Sequence, residues 1–148
     1  MARIQPLGPI GQYVALFARV GGQWSSDPLV ASEEWQAGGA DSVRGYAPGE
    51  AAGDHGFVTS VELRVTPLDD KEVLVLVAFV DHGAAYRDEI VIGQEDHESL
   101  TGAGLGVRSH FEKFVSVDLR LDVGWPIDPH DNAFNERPVL YAGASIRF

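Results

Sequence analysis

Four of the five histidines in this chain sit beside an aspartate, as Asp54-His55, Asp81-His82, Asp96-His97 and His130-Asp131. Imidazole next to carboxylate is the pairing used in metal sites and in acid-base catalysis. The spacing argues against both uses: no two histidines stand as His-x-x-x-His on one face, and most of the pairs fall in expected loops. Zero cysteines remove thiolate chemistry and any disulfide framework. There is no nucleophile motif and no glycine-rich phosphate loop. The acidic stretch from Asp88 to Glu98 lacks the alternating carboxylates and central glycine of a calcium loop, and reads as a solvated outer loop. These residues point to no catalytic group, no metal and no cofactor, so the chain reads as a non-enzyme.

The elements that would position any site are short strands. At 148 residues the chain has the length of one domain, with 45% hydrophobic and 22% charged residues, 17 glycines and 8 prolines, a balance that suits strands and turns better than helices. The net charge of -11, with no cluster of Lys and Arg, excludes nucleic acid as a partner for a basic face. The start, Met1 to Pro9, has no charged region followed by an apolar stretch, so no secretory signal is expected there. No run of about 18 apolar residues exists for a transmembrane helix, but a barrel strand needs only about 9 to 11 residues with alternate ones apolar.

Such alternation recurs along the chain and predicts about seven antiparallel strands in an up-and-down meander. The first runs near Tyr13 to Trp24 and the second, glycine-rich, near Glu34 to Arg44. The third, Phe57 to Val65, alternates Phe57, Thr59, Val61, Leu63 and Val65 with Val58, Ser60, Glu62 and Arg64. The fourth, Lys71 to Tyr86, is apolar on both faces as far as Val80 and should be covered on both sides. The fifth, Leu100 to Phe111, sets Ala103, Leu105 and Val107 against Gly102, Gly104, Gly106 and Arg108. The sixth places Val115, Val117, Leu119, Leu121, Val123 and Trp125 outward, with Asp118, Arg120 and Asp122 inward as the lining of a wet lumen. The last carries Leu140, Ala142, Ala144, Ile146 and Phe148 on one face. Connections should be short after Val65 and Phe111 and long after Tyr46, Tyr86 and Ile127, the asymmetry of outer-membrane barrels. Periodicity alone leaves open whether the apolar stripe meets lipid or the core of a soluble sandwich.

The segment Glu33 to Tyr46, followed by Gly53-Asp54 and Val61-Glu62-Leu63-Arg64, resembles the haemolysin secretion/activation transporters of two-partner secretion. Val43-Arg44-Gly45-Tyr46 is similar to the signature at the tip of their long inward-folded gating loop. Phe79-Val80-Asp81-His82-Gly83 matches the Phe-x-Asp-x-Gly pattern that the family carries on the lumen wall, in the expected order. The resemblance implies an all-β fold, the C-terminal portion of a sixteen-stranded outer-membrane β-barrel, with residues 1–10 a linker or disordered start and residues 1–148 supplying roughly the last seven strands. The periplasmic POTRA domains and the N-terminal barrel half are expected to be absent from these residues. It implies export of an unfolded partner protein from the periplasm, with the full-length protein in the cell outer membrane. The implied partners are the secreted protein, outer-membrane lipid and the barrel-assembly machinery, for which Ile146 and Phe148 resemble the terminal signal. Arg44 is expected to pair with Asp81, and Gly45 and Gly83 to permit close approach. Two alternatives stand beside this reading: an assembly factor of the same superfamily, and a soluble small β-barrel or sandwich binding an apolar ligand.

Overall fold

The computed structural model describes residues 2–4, 14–67, 74–88, 96–112, 115–127 and 137–147. The strands in chain order are β1 (Ala2–Ile4), β2 (Val14–Gln23), β3 (Trp35–Ala37), β4 (Ala51–Gly53), β5 (His55–Val65), β6 (Val75–Tyr86), β7 (His97–Glu112), β8 (Ser116–Pro126) and β9 (Val139–Arg147). Seven form one antiparallel sheet in the order β1-β2-β5-β6-β7-β8-β9, and β3 pairs with β4 in a separate hairpin. Every neighbour from β5 onward is the next strand in sequence, which is the meander expected from the alternation.

The register aligns the two faces across the whole sheet. One continuous row runs Leu16, Leu63, Ala78, Leu105, Val123, Leu140 from β2 to β9. The next row inward in sequence, Phe17, Glu62, Phe79, Gly104, Gly124, Val139, lies on the opposite face. Because side chains alternate with period two, this register separates an apolar from a polar surface. The apolar face is open: Val20, Leu105 and Leu140 are 78%, 60% and 64% exposed, and Val61, Leu76, Val80, Leu119 and Leu121 share that condition. Among the described residues no second layer packs on it, as a sandwich would require. A contiguous apolar surface of this extent marks contact with lipid or another protein.

The opposite face is concave and covered by the connection between β2 and β5. Arg19 of β2 donates to the Asp41 carbonyl at 2.7 Å, while Arg120 of β8, four strands away in the sheet, reaches the Asp41 carboxylate at 2.9 Å. Both can reach one loop residue only if the sheet curls around it, as a barrel wall does. Beneath the loop lies a small core of Ala37, Val43, Tyr46, Ala51, Val58, Ala85 and Leu100, with Trp35 packed against it.

Several expectations are corrected. The glycine-rich segment Glu34 to Arg44 is not a strand of the sheet: only Trp35–Ala37 is extended, and Gly38 and Gly39 then take φ of 106° and 93°, which end it. The sheet is completed to seven strands by Ala2–Ile4, which pairs with β2 inside the expected linker. β6 is covered on one side only, where Val77, Phe79 and Asp81 are buried while Leu76 and Val80 on the other side are open. Its expected beginning at Lys71 lies outside the described residues, as do most of the connections after Tyr86 and Ile127 and the terminal Phe148. Asp122, expected in a wet lining, is fully buried.

Candidate functional site

The loop tip and the wall meet through Arg44. Its guanidinium lies flat on the Phe79 ring, with Cζ 3.4 Å from the centroid, and its edge is matched to Asp81: Nε donates to Oδ2 at 2.7 Å and Nη2 to Oδ1 at 2.9 Å. The Arg44 backbone N–H donates to the same Oδ2 at 3.2 Å, and Ser60 Oγ donates to Oδ1 at 2.6 Å. Two residues apart on one strand, Phe79 and Asp81 point to the same face, so one supplies the platform and the other the counter-charge. A planar guanidinium uses both at once, which an ammonium could not do. Arg44 is 3% exposed and Asp81 fully buried, so the pair is shielded from bulk solvent.

Further carboxylates complete the charge balance. Glu62 Oε1 lies 2.8 Å and Asp122 Oδ2 3.5 Å from Arg44 Nη1. Glu62 also accepts two bonds from Arg64, and Asp122 accepts a bidentate pair from Arg108 and a 2.7 Å bond from Arg120 Nε. Burial alone would lower the Arg44 pKa, but the hydrogen bond to Asp81 and the charges of Asp81 and Glu62 outweigh it and the net direction is upward. Arg44 is charged throughout.

The rest of the tip is set by close backbone approach. Gly45 has φ of 109°, and a Cβ there would press on the backbone of Trp125 and Pro126. Reciprocally, Gly102 on β7 leaves room for the Arg44 carbonyl and Gly124 on β8 for the Gly45 N–H. Gly83 leaves room for the Val43 side chain, which is buried with Tyr46 in the core under the loop. Tyr46 Oη donates to the Thr101 carbonyl at 3.0 Å, while Tyr141 of β9 donates to the Tyr46 carbonyl at 2.7 Å and accepts from the Gly45 N–H at 3.1 Å.

The structure therefore gathers Val43, Arg44, Gly45, Tyr46, Phe79, Asp81 and Gly83 in one place. Ile146 stands apart, 57% exposed on the apolar face of β9, and Phe148 lies outside the described residues. Sequence reasoning gave no site role to Ser60, Tyr141, Gly102 or Gly124, and it read Glu62 as part of an alternating strand and of a family-like segment, without a partner. Glu62 and Asp122 carry a signal, since each is an acid on the inward-facing register of a strand. Tyr141 carries none, because an inward tyrosine on the last strand looks like any other.

The aspartate-histidine neighbours separate. Asp81 points inward and His82 outward, its Nδ1 3.0 Å from Thr101 Oγ1. His55 stacks between Trp24 and Tyr86, at 4.8 and 5.9 Å, and His97 continues that row against Tyr86 at 6.1 Å. Asp54 accepts the backbone N–H groups of Leu29 and Asp88 at 2.6 and 2.8 Å, tying the end of the long loop to its beginning and to the connection that follows β6. Those two bonds, from Asp88 first and Leu29 second, hold its carboxyl below the usual range. His130 and Asp131 lie outside the described residues.

A family model described as haemolysin secretion/activation protein ShlB/FhaC/HecB matches residues 4–109, from β1 to within β7. The chain belongs to this family. The ShlB/FhaC/HecB match spans the loop, Arg44, Phe79 and Asp81, while β8 and β9, with Asp122 and Tyr141, extend beyond it. Members of the family are outer-membrane proteins of two-partner secretion, whose work is transport and activation of a secreted partner and not enzymatic. No curated protein and no solved structure matches the chain.

Proposed function

We propose that this chain forms lumen wall and inward loop of an outer-membrane transporter that carries an unfolded partner protein out of the periplasm. The observation that carries this reading is the inversion of the sheet: the apolar row from Leu16 to Leu140 is open, and the buried face holds the Arg44 to Asp81 pair. Lipid is the solvent that suits such an exterior, because the bilayer removes apolar surface from water while strand pairing satisfies the backbone. The inward loop, fixed at its tip to the wall, is placed to obstruct the passage, and Val43, Arg44, Gly45 and Tyr46 act as its gating tip against Phe79, Asp81 and Gly83. On this reading the outward Ile146, with Phe148, belongs to the segment that the barrel-assembly machinery engages.

The test is Arg44→Ala in the full-length transporter. The exchange leaves Asp81 buried without its main counter-charge, at a cost of about 3 to 5 kcal/mol for a buried pair. Secretion of the partner should fall sharply while the barrel still reaches the membrane and keeps its heat-modifiable mobility. Secretion equal to the parent's would refute the proposal.

A further inference from the structure

The loop is held a second time, at Ala40 and Asp41, by a different chemistry. Arg120 Nη2 donates to the Ala40 carbonyl at 2.6 Å and Nη1 to Asp41 Oδ1 at 2.9 Å, while Arg19 Nη2 donates to the Asp41 carbonyl at 2.7 Å. Two guanidinium groups from β2 and β8 thus grip two successive backbone carbonyls and one acidic side chain. This grip is wet where the Arg44 pair is buried: Asp41 is 89% exposed and Arg120 33%, against 3% and 0% for Arg44 and Asp81. Arg120 is aimed by Asp122, which binds its Nε at 2.7 Å and also takes the bidentate pair from Arg108. Arg108 and Arg120 are direct cross-strand partners, a like-charge placement that repels unless a carboxylate stands between them. Beside the grip lies a cavity of about 180 Å³ whose lining includes Arg19, Arg44, Arg108 and Arg120 together with the carboxylates Asp41 and Glu62.

Ala40 and Asp41 are the central residues of a turn closed by the Ser42 N–H on the Gly39 carbonyl at 3.2 Å, and two successive carbonyls with a carboxylate are what any acidic turn of an unfolded polypeptide can present. We propose that Arg19 and Arg120 form a polypeptide-binding site that the loop's own Ala40-Asp41 occupies, and that a passing client segment of the same chemistry displaces it. The inference rests on the transport reading above. Asp122 is a positioning residue for Arg120. The wet grip yields first because exposed ionic contacts are weak and open to competition, whereas the Arg44 pair is not. Backbone carbonyls give the site tolerance of sequence, and the carboxylate contact favours acidic over basic segments.

The experiment measures single-channel current through the full-length transporter in planar bilayers, with a blocked dipeptide, acetyl-Ala-Asp-N-methylamide, added on either side. The dipeptide should raise the open probability of the parent by about tenfold, the scale set by losing one or two charge-assisted hydrogen bonds. Acetyl-Ala-Lys-N-methylamide should have little effect. The pair Arg19→Gln and Arg120→Gln should start at about the open probability that the dipeptide gives the parent, with the Arg44 pair still in place, and be insensitive to the dipeptide, and Asp122→Asn should lie between. A parent channel that conducts but does not respond to the acidic dipeptide, or responds equally to the basic one, overturns the proposal whatever the variants do. Absence of any conducting pore would instead overturn the transport reading beneath it.

Discussion

Replacing Asp81 with Asn keeps the volume of the side chain and changes only its hydrogen bonding and charge, so it isolates what the buried carboxylate does. Asp81 accepts four bonds: three from Arg44, through its backbone N–H, Nε and Nη2, and one from Ser60 Oγ. An amide can offer one oxygen, so either the Oδ2 position or the Oδ1 position would turn an N–H toward a guanidinium that is itself donor-only. Breaking a buried pair from one side costs about 3 to 5 kcal/mol. The lower end applies here, because Glu62 at 2.8 Å and Asp122 at 3.5 Å remain on the Nη1 side of Arg44 and hold part of its charge. About 3 kcal/mol is roughly a hundredfold change in the equilibrium between docked and undocked loop. Hydrogen exchange reads this directly, since the N–H groups of Gly39, Ser42 and Glu50 are bonded within the loop and that of Arg44 to Asp81 itself. Their protection should fall by about two orders of magnitude in Asp81→Asn, while amides in the middle of β7 and β8 stay as they were. Protection within about threefold of the parent at all four would refute the claim that this carboxylate pins the loop.

A methyl group at Gly102 would run into the Arg44 carbonyl, so Gly102→Ala should displace the tip at a cost of about 1 to 3 kcal/mol and reproduce the exchange pattern of Asp81→Asn with the ion pair's residues unchanged. Asp54 has a folded pKa below its unfolded one, so its contribution is complete above the unfolded value of about 4 and fades as pH falls through the folded value. Protease cleavage near Leu29 should therefore be flat from pH 8 to 5 and rise only in stronger acid, and Asp54→Asn should cleave faster at neutral pH. Leu105 is 60% exposed on the apolar face, and Leu105→Arg should cost about 2 to 4 kcal/mol at the bilayer midplane, seen as poor insertion into vesicles. Normal insertion would mean that this face does not meet hydrocarbon.

Strand by strand, what the sequence disclosed depended on whether a local period was enough. In β5 and β8 the alternation of Val61 and Leu63 with Ser60 and Glu62, and of Leu119 and Leu121 with Arg120 and Asp122, fixes the faces without further help. The register then brings those faces into continuous rows. The stretch from Glu34 to Arg44 misleads because its pattern is set by the loop and not by a sheet. Positive φ at Gly38 and Gly39 turns the chain after Ala37, so the residues before and after do not share a pleat. The short pairing of Ala2–Ile4 with β2 is invisible for the opposite reason, since three residues carry no period. Arg44 and Asp81 were legible through flanking motifs, but Tyr141 lies 95 residues from the Tyr46 carbonyl it serves, and no local signal spans that distance.

What makes the site specific is as much the side chains that are missing as those that are present. Gly102 and Gly124 face inward on adjacent strands where bulk would ordinarily fill the space, and glycine weakens a strand by about 0.5 to 1 kcal/mol relative to alanine. Here the loss coincides with the places where the Arg44 carbonyl and the Gly45 N–H come down onto the wall. The loop is thereby seated backbone against backbone, close enough for Tyr141 to bond both the Gly45 N–H and the Tyr46 carbonyl. Only a tip held at that depth puts the Arg44 guanidinium in the plane where Phe79 and Asp81 can meet it together. The glycines set the distance, and the ion pair then has one geometry available. A buried pair adds little net stability on its own, because desolvation offsets most of its attraction. Its worth here is selection: a loop shifted by a single residue would leave Asp81 buried without a cation, and that alternative is costly enough to be empty.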